Sequence, residues 1–194
     1  MKKIHLVMAI LLSFSSYAQK FQLGAKAGLN ISNFTDGDFD AVKKKALVGF
    51  HGGLFLRFSV LKFSIQPEMM ISTQGATIDS LQGDSYDWKV TYATIPVMLQ
   101  YKFSGGLFVE AGPQVAFKIS DNIENESIGA FAKNLDLSLA GGLGYRGKKG
   151  FGIGGRYTVG ISKVGDFQPS SGIDPDFKNG VIQLSLYIPL TSGK

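Results

Sequence analysis

From Val90 to Phe117 the side chains alternate with period two in two runs, joined by a turn at Lys102-Phe103-Ser104-Gly105. In the first run Ile95, Val97, Leu99 and Tyr101 share one face, opposite Thr94, Met98 and Gln100. In the second, Leu107, Val109, Ala111, Val115 and Phe117 lie opposite Glu110, Gly112, Gln114 and Ala116. Period two is the signature of a β-strand. These strands run to about ten residues, whereas strands of soluble proteins average about five to six. A strand tilted across a bilayer needs about nine to eleven residues with an apolar outer face, so the hairpin fits a membrane better than water.

The same unit recurs along the chain. Phe21 to Ile31, about Ala46 to Phe58, Phe63 to Ser72, Leu135 to Tyr145, Phe151 to Ile161 and Ile182 to Ile188 all alternate apolar against Gly, Gln, Ser and isolated charges. Eight strands result, and the connections alternate long and short. The long ones are predicted at about 35–45, 75–87, 119–133 and 163–178. Outer-membrane barrels have an even strand number with short periplasmic turns and longer extracellular loops. The expected fold is therefore all-β, an eight-stranded antiparallel up-and-down transmembrane β-barrel with both termini periplasmic. A soluble sandwich would bury its apolar faces between two sheets, and its outer faces would be densely charged rather than rich in glycine.

The first eighteen residues read differently. Lys2 and Lys3 precede a short apolar run, Leu6 to Leu12, and Ser16-Tyr17-Ala18 offers small residues for cleavage, so 1–18 is expected to be a signal peptide and 19–194 the barrel domain. The run is too short for a spanning helix, which needs about 20 residues. Removing two lysines takes the formal charge from +5 to +3, too weak a bias for nucleic acid. With no cysteine, disulfides and thiolate metal sites are excluded.

Several short segments resemble one family when taken together in order: Leu23-Gly24-Ala25-Lys26-Ala27-Gly28-Leu29-Asn30-Ile31-Ser32, Ile65-Gln66-Pro67-Glu68-Met69-Met70 with Gly75, Ile95-Pro96-Val97-Met98-Leu99-Gln100-Tyr101, Glu110-Ala111-Gly112-Pro113-Gln114, Gly142-Leu143-Gly144-Tyr145, and Arg156-Tyr157 with Gly160-Ile161. This series is similar to the PorT-like eight-stranded barrels of bacterial outer membranes. The resemblance implies that fold and location, accommodates Pro67, Pro96 and Pro113 inside strands, and suggests a link to a protein-secretion machine. It carries over no activity and no site residue. Such barrels usually finish on an aromatic residue, whereas here Tyr187 is followed by Ile188-Pro189-Leu190 and four more residues, so the assembly signal is expected at Tyr187.

Sharper motifs are weak. Gly142-Leu-Gly144-Tyr-Arg-Gly147 fits a dinucleotide fingerprint but lies in a strand with no helix after it. Asp36, Asp38 and Asp40 lack the Gly and Glu offsets of a calcium loop. His51 is the one histidine of the barrel domain, predicted inward, and the tempting nucleophile is Ser80 beside Asp79. A polar lumen residue is the simpler role, so no enzyme, cofactor or metal is expected. Lys43, Lys44 and Lys45 are expected in an outer loop facing lipopolysaccharide headgroups, where both solvation and lipid-phosphate contact fit.

The charges predicted inside the barrel are Lys26, Arg57, Glu68, Glu110, Asp136 and Arg156, three of each sign. Eight strands enclose a space just wide enough for side chains to fill. Each ion should therefore meet an opposite partner or water, with the pairing left open. The expected role is a structural or interaction barrel with a filled lumen, monomeric among outer-membrane lipid and lipopolysaccharide and partnered by secretion or envelope proteins. The alternatives are a small channel and, further off, a lipid-modifying enzyme.

Overall fold

The computed structural model describes residues 20–35, 43–79, 85–123, 132–165 and 176–191. Its eight strands are β1 (Lys20–Thr35), β2 (Lys43–Val60), β3 (Phe63–Asp79), β4 (Ser85–Lys102), β5 (Leu107–Ile123), β6 (Leu135–Arg146), β7 (Gly152–Gly160) and β8 (Lys178–Pro189). Each pairs antiparallel with its neighbours in sequence, and β1 pairs with β8 to close the ring. The expected leader, 1–18, and the aspartates Asp36, Asp38 and Asp40 lie outside the described residues.

The barrel is inside out relative to a soluble one over most of its height. Leu29, Val97, Leu139 and Leu184 point outward and are 42–57% exposed, while Lys26, Gln66, Gln100, Gln114 and Gln183 point inward and are buried. An exposed apolar band this continuous belongs against lipid. At the end with the short turns it finishes in a girdle of rings, with Phe21 stacked near Phe58, Phe63 near Tyr101, and Tyr101 near Phe103. Aromatic girdles mark the bilayer interface of such barrels.

Three of the predicted long connections are shorter than expected. Residues 75–79 and 85–89 are paired strand, with Gly75 opposite Lys89 and Asp79 opposite Ser85, so the second loop shrinks to 80–84. Likewise β5 runs on to Ile123, and Lys43–Lys45 pair with β3 rather than sitting in a loop. The alternation does not stop at these points; its two faces exchange chemistry. Phe34, Leu47, Ala76, Ile78, Val90 and Tyr92 are now the buried inward residues, and Asn33, Thr77, Lys89 and Thr91 lie on the outer parity. Read as hydropathy, that polar outer face looks like a loop. Paired backbone shows that it is sheet, with an outer face whose polar chemistry suits water. Gly75 sits at the crossover on β3 with φ 147°, a conformation side chains rarely adopt, and a Cβ there would lie 1.8 Å from the Trp88 carbonyl oxygen.

The upper lumen is sealed by an apolar cluster of Phe34, Ala76, Ile78, Val90, Tyr92 and Ala116, joined by Ala132, Val164 and Phe177 from the connections. Phe34 and Phe177 stack with ring centroids 4.4 Å apart. Asp176 pairs with Lys163, and Val164 donates to the Phe177 carbonyl 2.8 Å away, so the two described ends of the last connection are held together at this cluster.

Candidate functional site in the barrel lumen

Below the apolar seal the lumen is crossed by a clamp of four ions. Round a ring of eight strands, β3 stands opposite β7 and β1 opposite β5, so inward side chains on those strands meet across the full diameter. Arg156 on β7 reaches Glu68 on β3 with two parallel donors, Nη2 to Oε1 at 2.7 Å and Nη1 to Oε2 at 2.9 Å. Its Nε donates to Glu110 Oε1 on β5 at 2.8 Å. Lys26 on β1 completes the set, Nζ to Glu68 Oε2 at 3.2 Å. Gly142, beside Arg156 on β6, leaves the space its side chain crosses; a Cβ there would come within 3.0 Å of Arg156 Cα.

All four ions are at most 5% exposed, and the two cations balance the two carboxylates. The bidentate guanidinium–carboxylate fork is the strongest form of this interaction and fixes direction as well as distance. Breaking such a pair leaves a charge buried without compensation, which typically costs about 3 to 5 kcal/mol.

The other two predicted lumen charges are not drawn into the clamp. Arg57 donates Nε to Gln66 Oε1 at 2.7 Å and Nη1 to Gln22 Oε1 at 2.5 Å, and its guanidinium lies over the Phe55 ring. It contacts no carboxylate among the described residues. Asp136, at the other end, accepts from Asn179 Nδ2 and Ser162 Oγ, both at 2.8 Å, and likewise meets no cation there. For both, neutral amides and a hydroxyl stand beside the ion in place of a counter-ion.

His51 is enclosed at 2% exposure. Asn30 Nδ2 donates to the Phe50 and Thr73 carbonyls, so its Oδ1, 2.7 Å from His51 Nδ1, must accept. That leaves His51 Nε2 to accept from the Ser185 hydroxyl at 2.9 Å. The hydroxyl beside His51 is Ser185; Ser80 lies outside the described residues, and Asp79 is engaged by Lys45 at 2.6 Å. The order Ser185–His51–Asn30 matches an acyl-transfer triad in direction. It lacks the rest of such a site: the three residues are between 0% and 6% exposed, and the surrounding backbone is paired in the β-ladder.

The sequence model of the outer membrane protein β-barrel domain family matches residues 17–166. The chain belongs to this family. The match ends before β8, and the structure supplies that last strand as the one that closes the ring. A comparison with curated proteins found no match. Among solved structures, the chain is similar to the outer membrane protein OprG of Pseudomonas aeruginosa, at 13% identity and TM-score 0.51, covering 89% of this chain and 95% of that one. It is similar also to Neisserial surface protein A, at 12% identity and TM-score 0.50, covering 86% and 96%. The chain is an outer-membrane β-barrel in a bacterial envelope.

Within this barrel, sequence reasoning missed a second layer of the lumen. Phe55, Phe108 and Tyr187 point inward and meet edge to face, each Phe 5.9 Å from Tyr187. Tyr187, expected as the aromatic end of the final strand, has its ring inside. Two glycines admit the phenyl rings: a Cβ at Gly24 would lie 2.2 Å from Phe55, and one at Gly144 2.5 Å from Phe108. Arg146, also unpredicted, is 8% exposed and lies over the Phe108 ring. The even parity of Gly144 and Arg146 on β6 was the available signal, obscured because Arg146 borders the turn.

Proposed function

We propose that this barrel acts through its surfaces rather than through a passage: it is a structural and interaction protein of the outer membrane, without enzymatic activity. The four-ion clamp across the lumen carries this reading, because Arg156 and Glu68 join opposite walls and the apolar cluster fills the space beyond them. On this reading the short turns and both termini are periplasmic and the long connections face outward, as in barrels of this class. The protein stands as a monomer among outer-membrane lipid and lipopolysaccharide. Lys45 is 64% exposed beside Asp79 and supports contact with lipid phosphates there.

The collar above the lipid band supports the interaction role. Residues 43–46 pair only with β3, and 120–123 only with β4, among the described residues. Sheet edges of this kind accept an added strand from a partner. The similarity of the sequence to PorT-like barrels supports a partner in a protein-secretion machine. Two measurements test the proposal. Tags near Gly37, Asn125 or Ser171 should label on intact cells while tags at Ser104 or Lys148 do not, and the purified protein should give no large steady conductance in a planar bilayer. A stable ion current would replace this reading with that of a channel.

A further inference from the structure

The clamp leaves the lumen electrically unbalanced at its turn end. Glu68 is engaged by Lys26 and Arg156, and Glu110 by Arg156. Arg57 and Arg146 stand below them with no carboxylate partner among the described residues, each connected to the clamp through a glutamine. Arg57 donates to Gln66, whose amide donates to Glu68 at 2.7 Å. Arg146 donates to Gln100 at 2.6 Å, whose amide donates to Glu110 at 2.8 Å. Each glutamine passes a hydrogen bond onward, but a neutral amide cannot cancel a charge. Two buried guanidiniums, at 1% and 8% exposure, therefore line one cavity without a counter-ion in contact among the described residues.

Their orientation is fixed from the side. Arg57 lies 4.6 Å over Phe55 and Arg146 4.8 Å over Phe108. Arg57 Nη2 and Arg146 Nε are buried and have no hydrogen-bond partner. Both arginines line a cavity of about 430 Å³ that opens at the turn end, rimmed by Lys20, Lys62, Lys102 and Lys148. Every ionisable side chain among its lining residues is a cation. Solvated lysines alone would mean little, since surface charge is screened. Buried, stacked guanidiniums with no counter-ion at the floor are different: a lone ion in such a place costs several kcal/mol, and a planar fork of N–H donors suits the oxygens of a phosphate.

We propose that the turn-end mouth of this barrel is a phosphate-binding cup, in which Arg57 and Arg146 grip the phosphate and the lysine rim draws it in. The phosphate belongs either to a soluble phosphorylated solute or to a phospholipid headgroup of the leaflet bordering that end. The inference does not depend on which way the barrel faces, nor on its interaction role.

The test uses the full-length barrel folded in a neutral detergent, with inorganic pyrophosphate titrated by calorimetry, and the same barrel in nanodiscs of phosphatidylcholine with or without phosphatidylglycerol. Saturable one-to-one binding of pyrophosphate is expected, weakened at least tenfold by Arg57→Gln or Arg146→Gln and unchanged by Lys89→Gln at the opposite end. Weaker pyrophosphate binding in the phosphatidylglycerol discs than in pure phosphatidylcholine assigns the cup to a headgroup; equal binding assigns it to a soluble phosphate. Should either arginine variant fail to fold, as judged by heat-modifiable migration on gels, Lys102→Gln with Lys148→Gln takes its place and should weaken binding several-fold. No saturable pyrophosphate binding, or binding indifferent to these substitutions, overturns the proposal.

Discussion

The lower and upper parts of this barrel use one backbone pattern with opposite chemistry. Below, the wall is apolar outward and the lumen holds Lys26, Glu68, Glu110 and Arg156. Above, on the same strands and the same parity, the lumen holds Phe34, Ile78, Val90 and Tyr92 and the wall turns polar. Lipid requires only that the outer face be apolar and every backbone group be paired, so polar side chains are sent inside. Water requires the reverse, because burial of apolar surface drives folding there. Where the faces exchange, near Gly75 on β3 and between Thr94 and Tyr92 on β4, is where the surrounding solvent changes.

The two parts should therefore fail differently. The largest effect is expected from Glu68→Ala, which strands Lys26 and leaves Arg156 only its single bond to Glu110. Removing one partner of a buried pair costs about 3 to 5 kcal/mol, so the unfolding temperature should fall steeply. Glu110→Ala should cost less, because Arg156 keeps its fork on Glu68. Equal losses in thermal melts would mean that Glu68 is not the centre of the clamp.

Next in size, an arginine should be tolerated on one outer wall and not on the other. Leu139 faces outward at mid-height of β6, and Leu139→Arg should destabilise by about 2 to 4 kcal/mol, as cations at the bilayer midplane do. Thr91→Arg, also outward but above the exchange, should stay within about 0.5 kcal/mol, the usual range for a surface position. Urea unfolding in lipid vesicles measures both. Similar costs at the two sites would erase the distinction between the parts.

Much of this was legible in the sequence. Strand number, closure and the inward position of all six predicted charges follow from parity alone, because a strand's period allows only two faces. The collar was lost because Thr77, Asp79, Asp87 and Lys89 read as a polar loop to any scale that averages along the chain. Keeping the parity through Gly75 would have shown Ala76 and Ile78 taking over the face held by Glu68 and Ser72. Pairing was illegible for another reason: which wall faces which depends on closure of the ring, so Arg156 meeting Glu68 88 positions away leaves no local mark. The same holds for Ser185 and His51, on strands not adjacent in the ring.

A smaller effect concerns that histidine. His51→Ala should lower stability by about 1 to 3 kcal/mol, because it leaves the Asn30 and Ser185 side chains short of a buried partner. On the surface reading it should leave partner binding unchanged. Loss of a measurable lipid or peptide turnover, with the barrel still folded, would reinstate the triad as a catalytic site.

The exchange of faces is tested most directly by spin labels, which this chain accepts cleanly because it has no cysteine. Single cysteines at Val97 and Leu139 on the lower outer wall, Thr77 and Thr91 on the upper outer wall, and Ile78 on the upper inner face would be labelled in lipid vesicles. Their collisions with molecular oxygen and with a water-soluble nickel chelate would then be compared. The lower pair should meet oxygen and not nickel, the upper pair should meet nickel, and Ile78 should meet neither. Oxygen-dominated collisions at Thr77 and Thr91 would place the whole barrel in lipid and contradict the exchange of faces.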